Sequence, residues 1–244
     1  MDWILAFTAA TFFLAGLVKG VLGLGLPTVA IGLLGLIMTP AQAVVLMFVP
    51  TLVTNIWQLA IGPSLVPLLK RLWPMLAGIF VGAWIGGGIL MGGNSWAGSA
   101  LGAALVVYAL LGLTAVRFYV PPRAEPWLTP VLGVINGFIS AATGVFAIPG
   151  VPYLQALNLN KDDLVQGLGL LFTASMLALG IVLAHERAFE MSVAGPSAVA
   201  LAAALIGMFI GQKVREWVPA ETFRLCFFIG MLLLGAHLAL RPWL

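Results

Sequence analysis

One basic residue interrupts an apolar part of this sequence, and it is the first candidate for chemistry. Lys19 lies four positions before the break Gly23-Leu24-Gly25. A charge in a membrane-like environment costs roughly 2.5 to 3.5 kcal/mol on insertion scales and usually faces the protein interior or a cavity. Lys19 is therefore a candidate electrostatic partner for an anion beside a broken helix. The alternative is that its long side chain reaches out to an interface with water.

Small polar side chains accompany two Gly/Pro breaks in the chain. Hydroxyl and amide groups, with free backbone N–H groups at a broken helix end, bind an oxyanion without many formal charges. We expect the substrate site to comprise Lys19, Gly23, Gly25, Thr28, Thr54, Asn55, Asn136, Ser140, Thr143, Gly144 and Ser175. The same stretches also carry Thr51, Gln58, Gln166 and Thr173. For each residue taken alone, the alternative is a hydrogen bond between helices or back to its own helix.

Acidic residues are absent from the centres of the apolar stretches. All eight lie in loops or at stretch ends: Asp2, Glu125, Asp162, Asp163, Glu186, Glu190, Glu216 and Glu221. Cation pumps and many proton-coupled carriers use intramembrane Asp or Glu, so a cationic substrate is disfavoured. One cysteine and two isolated histidines offer no metal-ligand spacing, and no Walker A motif is present. We therefore expect no metal, no cofactor, no direct use of ATP and no catalytic residues.

The composition identifies the solvent of this chain as lipid. Hydrophobic residues make up 62% and charged residues only 8%, whereas soluble domains carry roughly 25% charged residues. A spanning helix needs about 20 apolar residues, and the chain has apolar stretches at 3–37, 41–62, 72–93, 97–118, 128–158, 163–184, 192–212 and 221–240. We predict an all-α polytopic membrane protein. Its net charge of +3 reflects basic loops and gives no reason to expect nucleic acid.

The eight stretches fall into two sets of four that resemble each other. The motif Gly16–Gly23 lines up with Gly137–Gly144 at a constant offset of 121, and Gly78–Gly82 matches Gly207–Gly211. We predict two homologous halves: a first membrane repeat at 1–118, a linker at 119–127 and a second repeat at 128–244. Such repeats are typical of transporters, whose substrate site lies at the repeat interface.

The first stretch of each half is too long for one crossing and too short for two. Both stretches, 3–37 and 128–158, carry a Gly/Pro cluster that would break a helix. If each stretch crosses once, six of ten basic residues outside the membrane lie inside the cell; if each turns back, eight do. Those eight are Lys70, Arg71, Arg117, Arg123, Lys161, Lys213, Arg215 and Arg224. The positive-inside rule thus favours re-entrant first segments, three transmembrane helices per half and an inverted repeat.

The motif Ala15-Gly16-Leu17-Val18-Lys19-Gly20-Val21-Leu22-Gly23-Leu24-Gly25-Leu26-Pro27 resembles the opening signature of the TauE/SafE sulfite exporter family. Residues 136–144 resemble the echo of that signature in the second repeat. This copy carries Leu24 where the family more often has a Gly-Gly pair. The resemblance implies ion-gradient-driven transport of sulfite or organosulfonates across a bacterial inner membrane, which agrees with an anion site lacking carboxylates.

These observations predict a secondary transporter for a sulfur-containing anion such as sulfite or sulfoacetate, with a proton or sodium ion as the coupling ion. The anion would bind near mid-membrane between the two broken segments. Lys19 would attract it, and Thr54, Asn55, Thr143 and Ser175 would donate hydrogen bonds. The alternatives are a passive anion channel and a transporter of another small organic anion.

Overall fold

The structure is a computed structural model that describes residues 2–91, 97–114, 119–186, 194–217 and 219–243. The described residues form ten α-helices and a short terminal 3-10 helix, Arg241–Trp243. The helices of the first half are α1 Asp2–Leu22, α2 Leu26–Leu34, α3 Pro40–Ile61, α4 Leu65–Met91 and α5 Ala97–Leu113. Those of the second half are α6 Glu125–Thr143, α7 Gly150–Ala156, α8 Lys161–His185, α9 Ala194–Val214 and α10 Ala220–Leu240.

Among the described residues, six helices are long and apolar enough to span a bilayer: α1, α3, α4, α8, α9 and α10. The prediction of an all-helical, polytopic membrane protein is confirmed. The sequence analysis expected α5 to cross completely, but α5 has only 17 residues, Ala97–Leu113, and is not among these six helices. The α6 helix begins at Glu125, inside the stretch assigned to the linker. Two basic residues used in the topology argument, Arg117 and Arg187, lie outside the described residues.

Glycine forms the break at both predicted positions. Between α1 and α2 the backbone of Gly23 has φ of 75° and that of Gly25 has φ of 100°. Gly144, which follows α6, has φ of 74°. Side chains other than glycine rarely adopt this left-handed region, so these positions end one helix and redirect the chain. The Gly/Pro clusters therefore act as helix breaks, as predicted.

The second broken segment returns to the end of the bundle at which it starts. The backbone N–H of Val120, just before α6, donates to the carbonyl of Ala156 at the end of α7, at 3.3 Å. The first segment also reverses. The end of α1 lies beside the end of α9, where Gly20 faces Gly211. The end of α2 lies at the other end of the bundle, beside the end of α10, because Arg241 after α10 donates to the carbonyl of Gly35 after α2.

Close helix contacts join the two halves through glycine. A methyl group added at Gly16 of α1 would lie 2.1 Å from the carbonyl oxygen of Ala204 in α9. One added at Gly82 of α4 would lie 1.9 Å from the carbonyl oxygen of Val134 in α6. Small residues at this spacing let membrane helices approach until their backbones touch. Each matched glycine motif of one half therefore packs on the other motif from the opposite half: α1 on α9, and α4 on α6.

Candidate anion-binding site

Lys19 points into the protein and not toward an interface. Only 4% of it is exposed, and its Nζ donates to Oδ1 of Asn55 on α3. It is the single charged side chain among the buried described residues. Because an ammonium group carries three N–H donors, two remain beyond the bond to Asn55. The structure thus has the interior placement and not the alternative in which Lys19 reaches water.

Three polar atoms on one face of α3, the helix that Lys19 contacts, have no protein partner. Thr51, Asn55 and Gln58 recur at intervals of four and three residues and so share one face of the helix. The Thr51 hydroxyl, Nδ2 of Asn55 and Oε1 of Gln58 are buried and unpaired. Leaving such a group unpaired costs about 1 to 3 kcal/mol. An anion supplies a partner for the Thr51 hydroxyl and for Nδ2 of Asn55, which can donate, but not for Oε1 of Gln58, which only accepts. We refer to Lys19, Thr51, Asn55 and Gln58 as the Lys19 cluster.

The start of α2 adds further donors next to the break. Gly25 occupies the cap position, and no side chain caps the helix. The Thr28 hydroxyl in the first turn is buried and unpaired. A helix N-terminus carries a partial positive charge and free N–H groups, both favourable to an anion. Ammonium, amide, hydroxyl and helix terminus together make a set of donors without a buried carboxylate in the described part of the chain.

Two glutamines tie α3 to α8 at this end of the bundle. Nε2 of Gln58 donates to the carbonyl of Gly23 at 3.0 Å and to the carbonyl of Val165 in α8. Gln166 of α8 returns two bonds: its Nε2 donates to Leu59 at 2.8 Å, and its Oε1 accepts from the backbone of Ser64 at 2.7 Å. Gln58 therefore fixes the first break against the second half of the chain.

The second break is held by a network with no unpaired side-chain atom. Oδ1 of Asn136 accepts from the backbone N–H of Gly150 at 3.0 Å, which ties α6 to the start of α7. Its Nδ2 donates to Ser175 at 3.2 Å and to Ser140 at 3.4 Å. The Ser140 hydroxyl donates to the carbonyl of Asn136 at 2.6 Å. We refer to Asn136, Ser140, Gly150 and Ser175 as the Asn136 network.

Two of the predicted donors bond to their own helices. The Thr54 hydroxyl donates to the carbonyl of Pro50 at 2.8 Å. The Thr143 hydroxyl donates to the carbonyl of Ile139 at 2.7 Å and accepts from the backbone of Val145 at 3.2 Å. Helical Ser and Thr often bond back in this way. In this conformation these hydroxyls stabilise backbone instead of facing a ligand.

The predicted site residues thus form two groups. Lys19 and Asn55 are in contact, as are Asn136, Ser140 and Ser175; no hydrogen bond between described residues joins the groups. The glycine breaks face opposite halves: Gly23 lies against Val165 of α8, and Gly144 against Ile31 of α2. Thr51 and Gln58 were absent from the predicted site. Their helical spacing with Asn55 was the signal that could have added them.

Comparison with known proteins gives one match. A family model described as "Sulfite exporter TauE/SafE" matches residues 8–238, which include both helix breaks and every predicted site residue. No curated protein and no solved structure gives a significant match.

Proposed function

This chain belongs to the TauE/SafE sulfite exporter family of membrane transporters, and we propose that it is a secondary active transporter for a small sulfur-containing anion. Sulfite and organosulfonates such as sulfoacetate are the proposed substrates. The membrane is the bacterial inner membrane, and a proton or sodium gradient drives the transport of the anion. Members of this family are transporters and not enzymes, so the site must bind and release its ligand unchanged.

The Lys19 cluster is the observation that carries this proposal. A buried ammonium group is joined there by unpaired hydroxyl and amide groups and by the uncapped start of α2. Sulfite and sulfonates present several oxygen acceptors around a compact negative charge, and such donors suit them. The buried described residues include no Asp or Glu, so no carboxylate in the cluster repels an anion.

We also propose that the two halves, 1–118 and 128–244, form an inverted repeat with re-entrant first segments. The matched glycine motifs support this, because Gly16 packs on α9 while its counterpart Gly137 packs on α4. The reversal of each broken segment supports it as well. In this arrangement the anion binds between the halves, and movement of one half against the other opens the site to alternate sides.

The test is uptake of radiolabelled sulfite, sulfoacetate and taurine into proteoliposomes, with and without a proton or sodium gradient. We expect saturable uptake of a sulfonated anion or of sulfite, accelerated by one of the gradients. Flux that neither saturates nor responds to a gradient would indicate a passive anion channel. Absence of flux for all three compounds, with folded protein, would contradict the proposed substrate class.

A further inference from the structure

A cavity of about 790 Å³ opens beside the first break, at the end of the bundle where α1, α5 and α9 finish and α8 and α10 begin. Its wall includes Leu24 of the break and Val165 of α8. Lys19 does not line it. The buried amide of Gln58 bonds to the carbonyls of Gly23 and Val165, so this member of the Lys19 cluster lies directly behind the wall.

Three cations line this cavity without an opposite charge bound to them. They are Lys161 at the start of α8, Arg215 after α9 and Arg224 in α10. No ion pair or hydrogen bond joins any of the three to another described residue. The one ion pair among the described residues is Arg71 with Glu125. Glu221 also lines the cavity and lies beyond ion-pair distance of all three. The cavity thus carries two net positive charges on exposed or half-buried side chains.

A buried tyrosine also lines this cavity. Tyr108 of α5 is only 2% exposed and lines the cavity, and its ring packs edge-on against Phe227 and Phe228. Its phenolic oxygen has no hydrogen-bond partner. Buried tyrosine hydroxyls usually find a partner, so this group is available to a ligand in the cavity.

We propose that this cavity is a second anion-binding site, a vestibule that collects a small oxyanion before it passes Gln58 and reaches Lys19. Arg215, Arg224 and Lys161 supply attraction, and the Tyr108 hydroxyl supplies one hydrogen bond. The role as a vestibule rests on the proposed transport function. In the re-entrant topology the three cations face the cytoplasm, so the vestibule takes its anion from inside the cell.

Charge at a pocket mouth raises the local concentration of an oppositely charged ligand and the rate at which it arrives, and salt reduces both. The double variant Arg215→Gln/Arg224→Gln should therefore raise the KM for sulfoacetate about tenfold at low salt. We expect kcat to change less than about twofold, because the Lys19 cluster is intact. Tyr108→Phe, which removes only the hydroxyl, should raise KM about threefold.

The matched control is Lys213→Gln/Arg123→Gln, which also removes two basic charges but from residues outside the cavity wall. Its KM should stay at the wild-type value. The difference between the two double variants should shrink in about 0.5 M NaCl, where screening acts over a few ångströms. Equal KM values for the two double variants at low salt would overturn the vestibule.

Binding in nanodiscs separates this proposal from the proposed transport function. In the Lys19→Met protein, inorganic sulfate should still bind weakly, and Arg215→Gln/Arg224→Gln should abolish that residual binding. Loss of all sulfate binding in Lys19→Met alone would overturn the second site. Absence of wild-type flux with residual sulfate binding intact would remove the transport assignment and keep the anion site.

An anionic lipid headgroup offers the same oxyanion chemistry as a free anion. The binding measurement is therefore made in nanodiscs of phosphatidylcholine alone and with phosphatidylglycerol. Sulfate binding in the neutral lipid that depends on Arg215 and Arg224 supports a site for a soluble anion. Retention of phosphatidylglycerol by wild type but not by the double variant, without sulfate binding in either lipid, would overturn it.

Discussion

The break between α1 and α2 and the break between α6 and α7 share one backbone plan and differ in their polar chemistry. Gly23 and Gly144 both adopt left-handed backbone, and each faces the opposite half of the chain. The Lys19 cluster beside the first break contains a buried charge and several unpaired atoms. The Asn136 network beside the second break pairs its polar atoms with one another and with backbone.

From this difference we infer that the Lys19 cluster binds the anion and that the Asn136 network supports the fold. A polar network that is complete within the protein stabilises one arrangement and offers nothing to a ligand. An incomplete one is destabilising until a ligand supplies the missing partners. At corresponding positions, offset by 121 residues, Lys19 in the first half stands where Ser140 stands in the second. We therefore propose that the charged, incomplete break and the neutral, complete one have different functions.

The largest effect is expected where the two halves are alike, in the scaffold. Gly82→Ala and Gly211→Ala each place a methyl group against a backbone carbonyl, 1.9 Å from Val134 and 2.3 Å from Leu17 respectively. Because backbone cannot move aside cheaply, each should lower stability by about 3 kcal/mol or more. Thermal unfolding in detergent measures this. Gly230→Ala is the control, since nothing lies within 4 Å of the added methyl, and a drop of equal size there would contradict the account.

The next largest effect is expected at Lys19, the charged residue beside the first break. Lys19→Met keeps an unbranched side chain of similar length and removes the ammonium group. A charge-assisted hydrogen bond contributes about 1.5 to 3 kcal/mol, so sulfoacetate uptake and affinity should fall about 10- to 100-fold. Stability should change by less than about 2 kcal/mol, because removal of a buried charge offsets the loss of the donor to Asn55 Oδ1. Ser140→Ala is the matched variant, and its affinity should stay within about twofold of wild type.

The complementary change is in the Asn136 network. Asn136→Ala leaves the buried N–H of Gly150 without its acceptor, which should lower stability by about 1 to 3 kcal/mol. The affinity of the protein that remains folded should be nearly unchanged. Thermal unfolding and sulfoacetate binding on the same preparation give both values. A selective loss of affinity without a loss of stability would assign Asn136 to the binding site instead.

A pair of isosteric substitutions gives the smallest and sharpest contrast. Thr51→Val removes an unpaired hydroxyl, so affinity should fall about fivefold while stability is unchanged or higher. Thr143→Val removes the hydroxyl that accepts from the backbone of Val145, so stability should fall by about 1 kcal/mol with affinity unchanged. If the two variants behave alike in both measurements, the division between binding and support is wrong.

Much of the fold was readable from the sequence because it depends on local patterns. Apolar stretches predicted the helices, and Gly23, Gly25 and Gly144 predicted the breaks, since a bilayer requires helices and glycine weakens them. For Lys19 the sequence left two positions open, the interior and an interface with water, and the structure has the interior one. The predicted bounds of α5 and α6 were less accurate, since α5 is short and α6 begins at Glu125, because loop packing sets where a helix begins and ends.

The details of the site depend on contacts that a sequence does not contain. Thr143 could face a ligand or its own helix, and only the structure shows that the carbonyl of Ile139 takes its hydrogen. Lys161, Arg215 and Arg224 entered the sequence analysis as topological charges. Their convergence on one cavity depends on the meeting of α8, α9 and α10 at one end of the bundle, which hydropathy does not predict.

The most direct test of the central claim is to locate the anion. Crystals grown with 2-bromoethanesulfonate would reveal the ligand by the anomalous scattering of bromine. We expect a peak in the core with its sulfonate within hydrogen-bond distance of Lys19 Nζ and the Thr51 hydroxyl. A core peak beside Asn136 and Ser175, with none near Lys19, would contradict it.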